Sequence, residues 1–239
     1  MRENYTYALE RDMNALVDAC LEDPEAQVSA CPDWDNAALL NHVIEVWFFA
    51  NAQVRAANPE KPTRPEIIEG LNDLDLKAKA YIASSNLYEA LALCDPTEPA
   101  WNWSPDLTCA FWLRRMAHET AIHRWDAETA IGKEARLNPE LSLDTLAEVV
   151  EVMMQFQLSG PITEFPNGSL HLHCTDVDGE WLLTSSGTDL VVTKEHAKAD
   201  VAARGEAANL ALWLWNRGNF GLEFFGDEEL LESWTSLVP

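Results

Sequence analysis

Apolar side chains recur at helical spacing through the first half of this 239-residue chain and change to alternation in part of the second. Leu9, Met13, Leu16 and Cys20 share one face of a helix predicted over residues 3–23, which Asp23-Pro24 closes. Asp35 is placed to cap a second helix whose stripe is Leu39, His42, Val43, Val46, Phe49 and Ala50. After the proline-rich connection Asn58–Pro65, the positions Ile67, Leu71, Leu74, Ala78, Tyr81 and Ile82 predict a third helix ending near Cys94-Asp95-Pro96. A fourth is expected over residues 104–131, with Ser104 as cap, Pro105 in its first turn and Gly132 as its left-handed stop. Its stripe is Trp112, Met116, Glu119, Thr120, His123 and Ala127. Four long amphipathic helices with these connections predict a four-helix bundle over residues 1–135.

Beyond Gly132–Glu140 the pattern changes. A helix from about Ser142 to Leu158 precedes Leu170–Thr175, whose alternation is that of a half-buried strand, and Asp178-Gly179 makes a hairpin turn. Glu180–Thr184 and Asp189–Thr193 are further strands, with a short fourth near Asp200 and a last one near Leu222–Phe225. Helices are expected from Glu206 to Arg217 and after Asp227. Residues 136–239 therefore read as a small α+β domain with an antiparallel sheet, and the whole chain as a mixed α and α+β protein.

Composition narrows the partners. Sixteen Lys and Arg stand against forty Asp and Glu, a formal charge of −24, which repels both a phosphate backbone and an anionic bilayer surface. Nucleic acid and membranes are therefore not expected partners. The first residues lack the apolar core of a signal peptide, no apolar run is long enough to span a bilayer, and the expected location is the cytoplasm. Five cysteines without a Cys-x-x-Cys pair read as reduced thiols, mostly buried, with Cys31 in a loop the one to test for reactivity.

Two stripes carry polar interruptions that need partners. Glu119 and His123 are four residues apart, about 40° around the fourth helix, whereas His118 lies about 140° from His123. Buried carboxylates and imidazoles require satisfaction, and with His42 from the second helix they form a His-Glu-His set that can hold zinc with one position open, the arrangement of catalytic sites. A buried hydrogen-bonded cluster is the competing reading. Asp126, one turn past His123, could orient its ring or pair with Arg124 at the surface. His171 and His173 share a strand face but have no third ligand near them in sequence, so a solvated face is expected there. Trp101 and Trp103 are packing residues or a pocket wall, and Arg217 is a basic residue near a helix C-terminus.

Several strings together resemble the mycothiol-dependent maleylpyruvate isomerases: Cys31-Pro-Asp-Trp with Leu39-Leu-Asn-His42; Trp112-Leu-Arg-Arg-x-x-His-Glu-x-x-x-His-Arg-x-Asp-Ala-Glu128; His196-x-Lys-Ala-Asp-Val; and Leu212-Trp-Leu-Trp-Asn-Arg-Gly. The resemblance implies a DinB-like metal-binding four-helix bundle joined to a small α+β domain reminiscent of sterol-carrier proteins. It implies a zinc, or another divalent metal, held by His42, Glu119 and His123, and Arg217 as a further active-site residue. Mycothiol would be the thiol cosubstrate, presented as thiolate to a small electrophile such as maleylpyruvate, giving cis-trans isomerisation. The same apparatus would equally serve a mycothiol S-transferase or detoxifying enzyme, and a non-catalytic metal- and ligand-binding protein is the remaining alternative.

Overall fold

The computed structural model describes residues 2–66, 68–156 and 164–237. The chain divides into two compact units, Met1–Ala135 and Arg136–Pro239. In the first, α1 (Arg2–Glu22), α2 (Asn36–Ala56), α3 (Leu76–Leu93) and α4 (Cys109–Ala130) pack with α1 chiefly along α4 and α2 along α3. Fully buried Leu9, Leu16, Leu39, Leu40, Trp47, Leu87, Leu91, Trp112 and Met116 form the core. Burying each such side chain stabilises by roughly 1.5–3 kcal/mol.

Local chemistry sets the helix ends. Asp35 Oδ1 accepts from Ala38 N at 2.8 Å and Asp75 Oδ1 from Ala78 N at 2.8 Å, so each carboxylate satisfies a first-turn amide. The third helix thus starts at Leu76, later than its apolar spacing predicts. Leu71–Asp73 form a single 3-10 turn after Gly70, Tyr81 is exposed, and Ile67 lies outside the described residues. The fourth helix likewise starts at Cys109, not at Ser104. The reason is a competing local network: Ser104 N and Oγ both donate to Asn102 Oδ1 at 2.8 Å, and Ala100 N bonds Leu107 O, closing a loop instead of a first turn. Gly132, at φ 74°, ends α4 in the left-handed region.

The second unit opens with α5 (Pro139–Glu148), capped by Asn138 Oδ1 accepting from Leu141 N at 3.0 Å. A π-helical turn, Val149–Met153, runs into the short α6 (Met154–Phe156); the predicted end of this helix at Leu158 lies outside the described residues. Five strands follow, with α7 (Ala207–Leu214) before the last and α8 (Glu228–Thr235) after it: β1 (Gly168–Cys174), β2 (Glu180–Ser185), β3 (Leu190–Thr193), β4 (Val201–Gly205) and β5 (Glu223–Phe225). Their order is β3-β2-β1-β4-β5. The pairs β1/β2, β2/β3 and β4/β5 are antiparallel as expected, but the central β1/β4 pair is parallel, because a long excursion through β2 and β3 returns the chain in the same direction. One sheet face buries Leu170, Leu172, Leu183, Val201 and Ala203, with α7 and α8 against β1 and β4. At Gly179 an added Cβ would meet Leu143 Cδ1, so a larger residue in this turn would require that leucine side chain to shift. Among the described residues no helix is long and apolar enough to cross a membrane.

Candidate metal centre

Helix α4 is buried around most of its circumference, which forces its polar residues to find internal partners. Arg124 Nε lies 3.1 Å from Asp12 Oδ1, and Arg124 also pairs with Glu128. Trp47 Nε1 donates to Thr120 Oγ1 at 3.2 Å, tying α2 to α4 one turn from the candidate ligands. His118 is fully buried, with Tyr5 edge-on at 5.9 Å.

His42, Glu119 and His123 offer three donor atoms that all lie within 4.8 Å of one another. Glu119 Oε1 is 3.6 Å from His42 Nε2 and 3.1 Å from His123 Nε2. A tetrahedral ion with bonds of about 2.0–2.1 Å sets neighbouring donors about 3.4 Å apart, so these separations suit a shared zinc-class ion. Two imidazole nitrogens and one carboxylate oxygen are also the right donor chemistry for it.

Each candidate ligand has a neighbour that positions it. Arg115 donates to the second oxygen of Glu119, which leaves Oε1 to face the histidines. His123 Nδ1 stands 3.0 Å from Oδ2 of the fully buried Asp126, holding the ring so that Nε2 points at Glu119. Asp126 is therefore a positioning carboxylate rather than a surface partner. Trp34, from the Cys31–Trp34 loop, tilts over His42 with ring centroids 4.8 Å apart, and the His42 and His123 rings meet edge to face at 5.3 Å.

The electrostatics follow from this packing. Burial opposes charge on Glu119, yet Arg115 and His123 outweigh it and hold the carboxyl well below its ordinary range. Burial likewise opposes charge on His123, but Glu119 and Asp126 win, raising its pKa to about 9. Glu119 and Asp126 thus favour the charged form of the His123 imidazole near neutral pH. Burial pushes the Cys20 thiol up to about 12 and the Cys174 thiol to about 12, so neither supplies a thiolate near neutral pH.

The structure brings together His42, Glu119 and His123 and adds two residues that sequence reasoning passed over. Arg115 carried a usable signal, its i,i+4 spacing to Glu119. Trp34 carried none beyond its motif, since its contact with His42 is tertiary. Trp101 and Trp103 are packing residues: Trp103 meets Phe111 and Trp112 edge-on, and Trp112 Nε1 donates to Trp101 O at 2.7 Å. Arg217 belongs to the second unit. It lies in the turn beyond α7, where Asn216 takes φ 59°, and its Nη1 donates to Trp215 O at 2.5 Å.

Comparison with known proteins bears on the family and the fold. Residues 7–128 match the family model described as the mycothiol maleylpyruvate isomerase N-terminal domain, and residues 140–233 match the model of the C-terminal domain of those enzymes. A crystal structure of the mycothiol-dependent maleylpyruvate isomerase is similar in fold, with a TM-score of 0.65 at 16% identity, covering 94% of this chain and 92% of that one. A histidine-to-alanine mutant of that enzyme is similar with a TM-score of 0.63 at 14% identity, over the same shares of the two chains. No curated protein matches this sequence.

Proposed function

The chain belongs to the mycothiol maleylpyruvate isomerase family, and from that premise we propose that it is a metal- and mycothiol-dependent enzyme acting on a small electrophilic alkene, with cis-trans isomerisation of maleylpyruvate or a close analogue as its reaction. The observation that carries the proposal is the convergence of His42, Glu119 and His123, from α2 and α4, on one small volume.

In this reading His42 Nε2, Glu119 Oε1 and His123 Nε2 hold the cation, whose contribution when bound is to lower the pKa of a thiol sharing its open position, so that the thiolate prevails at neutral pH. Arg115 keeps Glu119 a one-oxygen ligand and Asp126 keeps His123 in the tautomer with Nε2 free. Isomerisation then needs only reversible addition of the thiol across the double bond, which frees rotation about the carbon–carbon bond. Arg217 supplies a guanidinium fork for a substrate carboxylate or the enolate that develops on addition, a role this strongly acidic chain needs some cation to fill.

The test is to load the purified protein with zinc, supply mycothiol, and follow maleylpyruvate isomerisation in the wild type, His42→Ala and His123→Ala. Turnover that disappears in both variants along with the bound metal supports the reading. Thiol transfer to other electrophiles without isomerisation would make the protein an S-transferase on the same centre, and no turnover with any acceptor would make it a binding protein.

A further inference from the structure

The second unit contains another cluster of ligating side chains, far from the first in sequence and built on the sheet. His171 and His173 lie on the same face of β1, and Glu180 is the direct cross-strand neighbour of His173 on β2. The connection between β3 and β4 brings His196 over the same spot. Glu180 Oε2 is 3.6 Å from His171 Nε2 and 2.9 Å from His196 Nδ1, and Glu180 Oε1 is 2.5 Å from His173 Nδ1. The three imidazoles surround the carboxylate with ring centroids 5.5–6.1 Å apart. One donor atom each from His171, Glu180 and His196 fall within 4.8 Å of one another.

An exposed histidine beside a glutamate would be ordinary. His171, however, is only 7% exposed, and its buried Nε2 has no hydrogen-bond partner among the described residues. His173 Nδ1 is also buried without one, its approach to Glu180 falling outside hydrogen-bond geometry. Buried polar atoms are rarely left this way, and here two of them are aimed at the same carboxylate. A cation held by His171, Glu180 and His196 would give the buried Nε2 of His171 a partner. Beside the cluster opens a cavity of about 480 Å³ whose lining sets Glu140, Asp144, Asp178, Glu180 and Glu195 against Lys194, with His196 at its wall. Such a lining concentrates cations from solution and gives them a route in.

We propose that His171, Glu180 and His196 form a second binding site for a divalent transition ion of the zinc class, with His173 packed against Glu180 beside it. Imidazole-rich donor sets select zinc, nickel and copper over calcium or magnesium, which prefer all-oxygen sites. An ion held by these three residues ties the β3–β4 connection, which carries His196, to the β1/β2 hairpin. The site is independent of the metal centre on α2 and α4 and does not rest on the proposed reaction.

The experiment is equilibrium dialysis of untagged full-length protein against zinc, with the bound metal counted per chain and thermal stability recorded alongside. The wild type is expected to hold two ions, and His196→Ala and Glu180→Gln one each. His196 is 79% exposed at its side chain, so its replacement threatens no core packing. Combining His42→Ala and His123→Ala is expected to leave one ion, which is lost when His196→Ala is added. If the wild type holds one ion and His196→Ala none, this site stands and the one on α2 and α4 falls. Stoichiometry unchanged by both His196→Ala and Glu180→Gln, or no ion retained in the His42→Ala/His123→Ala protein, overturns the inference. A zinc-dependent rise in melting temperature that His196→Ala abolishes is the second expected readout.

Discussion

Replacing Asp126 by asparagine removes the charge behind His123 while keeping its shape, and two opposing effects follow. The carboxylate is fully buried 3.0 Å from His123 Nδ1 and fixes both ring orientation and tautomer. Losing such a brace typically weakens metal binding 10–100-fold, about 1.4–2.7 kcal/mol. Asp126 also helps raise the His123 pKa to about 9, so below that pH an incoming metal must expel a proton from the wild type. The variant, lacking one of the groups that raise this pKa, suffers less proton competition. The two effects therefore add differently along the pH axis: above pH 9 the full loss of the brace is exposed, whereas near pH 6.5 easier deprotonation offsets part of it. Competition with a chromophoric chelator should show a ratio of variant to wild-type zinc Kd that grows from pH 6.5 to pH 9.5 and reaches 10–100 at the upper end. Equal Kd values at pH 9.5 in a variant with native circular dichroism, or a ratio that shrinks with pH, would refute the reasoning.

The same histidine sets the pH dependence of the metal-free fold. Its folded pKa lies above the ordinary 6.5, so its stabilisation is complete below pH 6.5 and is lost as pH rises to about 9, a change on the order of 3 kcal/mol that urea titrations of chelated protein should detect. Thr120→Val leaves the buried Trp47 Nε1 without its acceptor and is expected to cost about 1–3 kcal/mol by chemical denaturation, with Trp47→Phe in the same background recovering part of the loss. Asp35→Ala removes the cap of α2 and should cost about 1 kcal/mol while leaving bound zinc unchanged by metal analysis. Arg217→Met, if the arginine stabilises developing negative charge, lowers kcat/KM by about 100-fold or more with metal content intact; unaltered steady-state kinetics would remove it from the site.

How legible the molecule is from its sequence depends on how local each feature is. Glu119 and His123 pair on spacing alone because a helix places residues four apart side by side, and the Asp35 cap is equally a matter of neighbouring residues. Ser104-Pro105 reads as a helix start by the same local logic, but Asn102 competes for the serine and delays the helix to Cys109. The stripe that suggests an earlier start for α3 is interrupted at Gly70, and the helix waits for Asp75.

The sequence by itself determined the helical first half, the strand-rich second half, the acidic surface and the candidate ligands on each helix, since these depend on periodicity, charge and spacing along one chain segment. Tertiary structure alone decided what lies across space. It set the distance of His42 from Glu119, the tilt of Trp34 over His42, the parallel alignment of β1 with β4, and the gathering of His171, His173, Glu180 and His196 from two strands and a connection. The physical reason is that a cross-strand register and a loop's return path are fixed by burial of the opposite sheet face, which no single segment encodes.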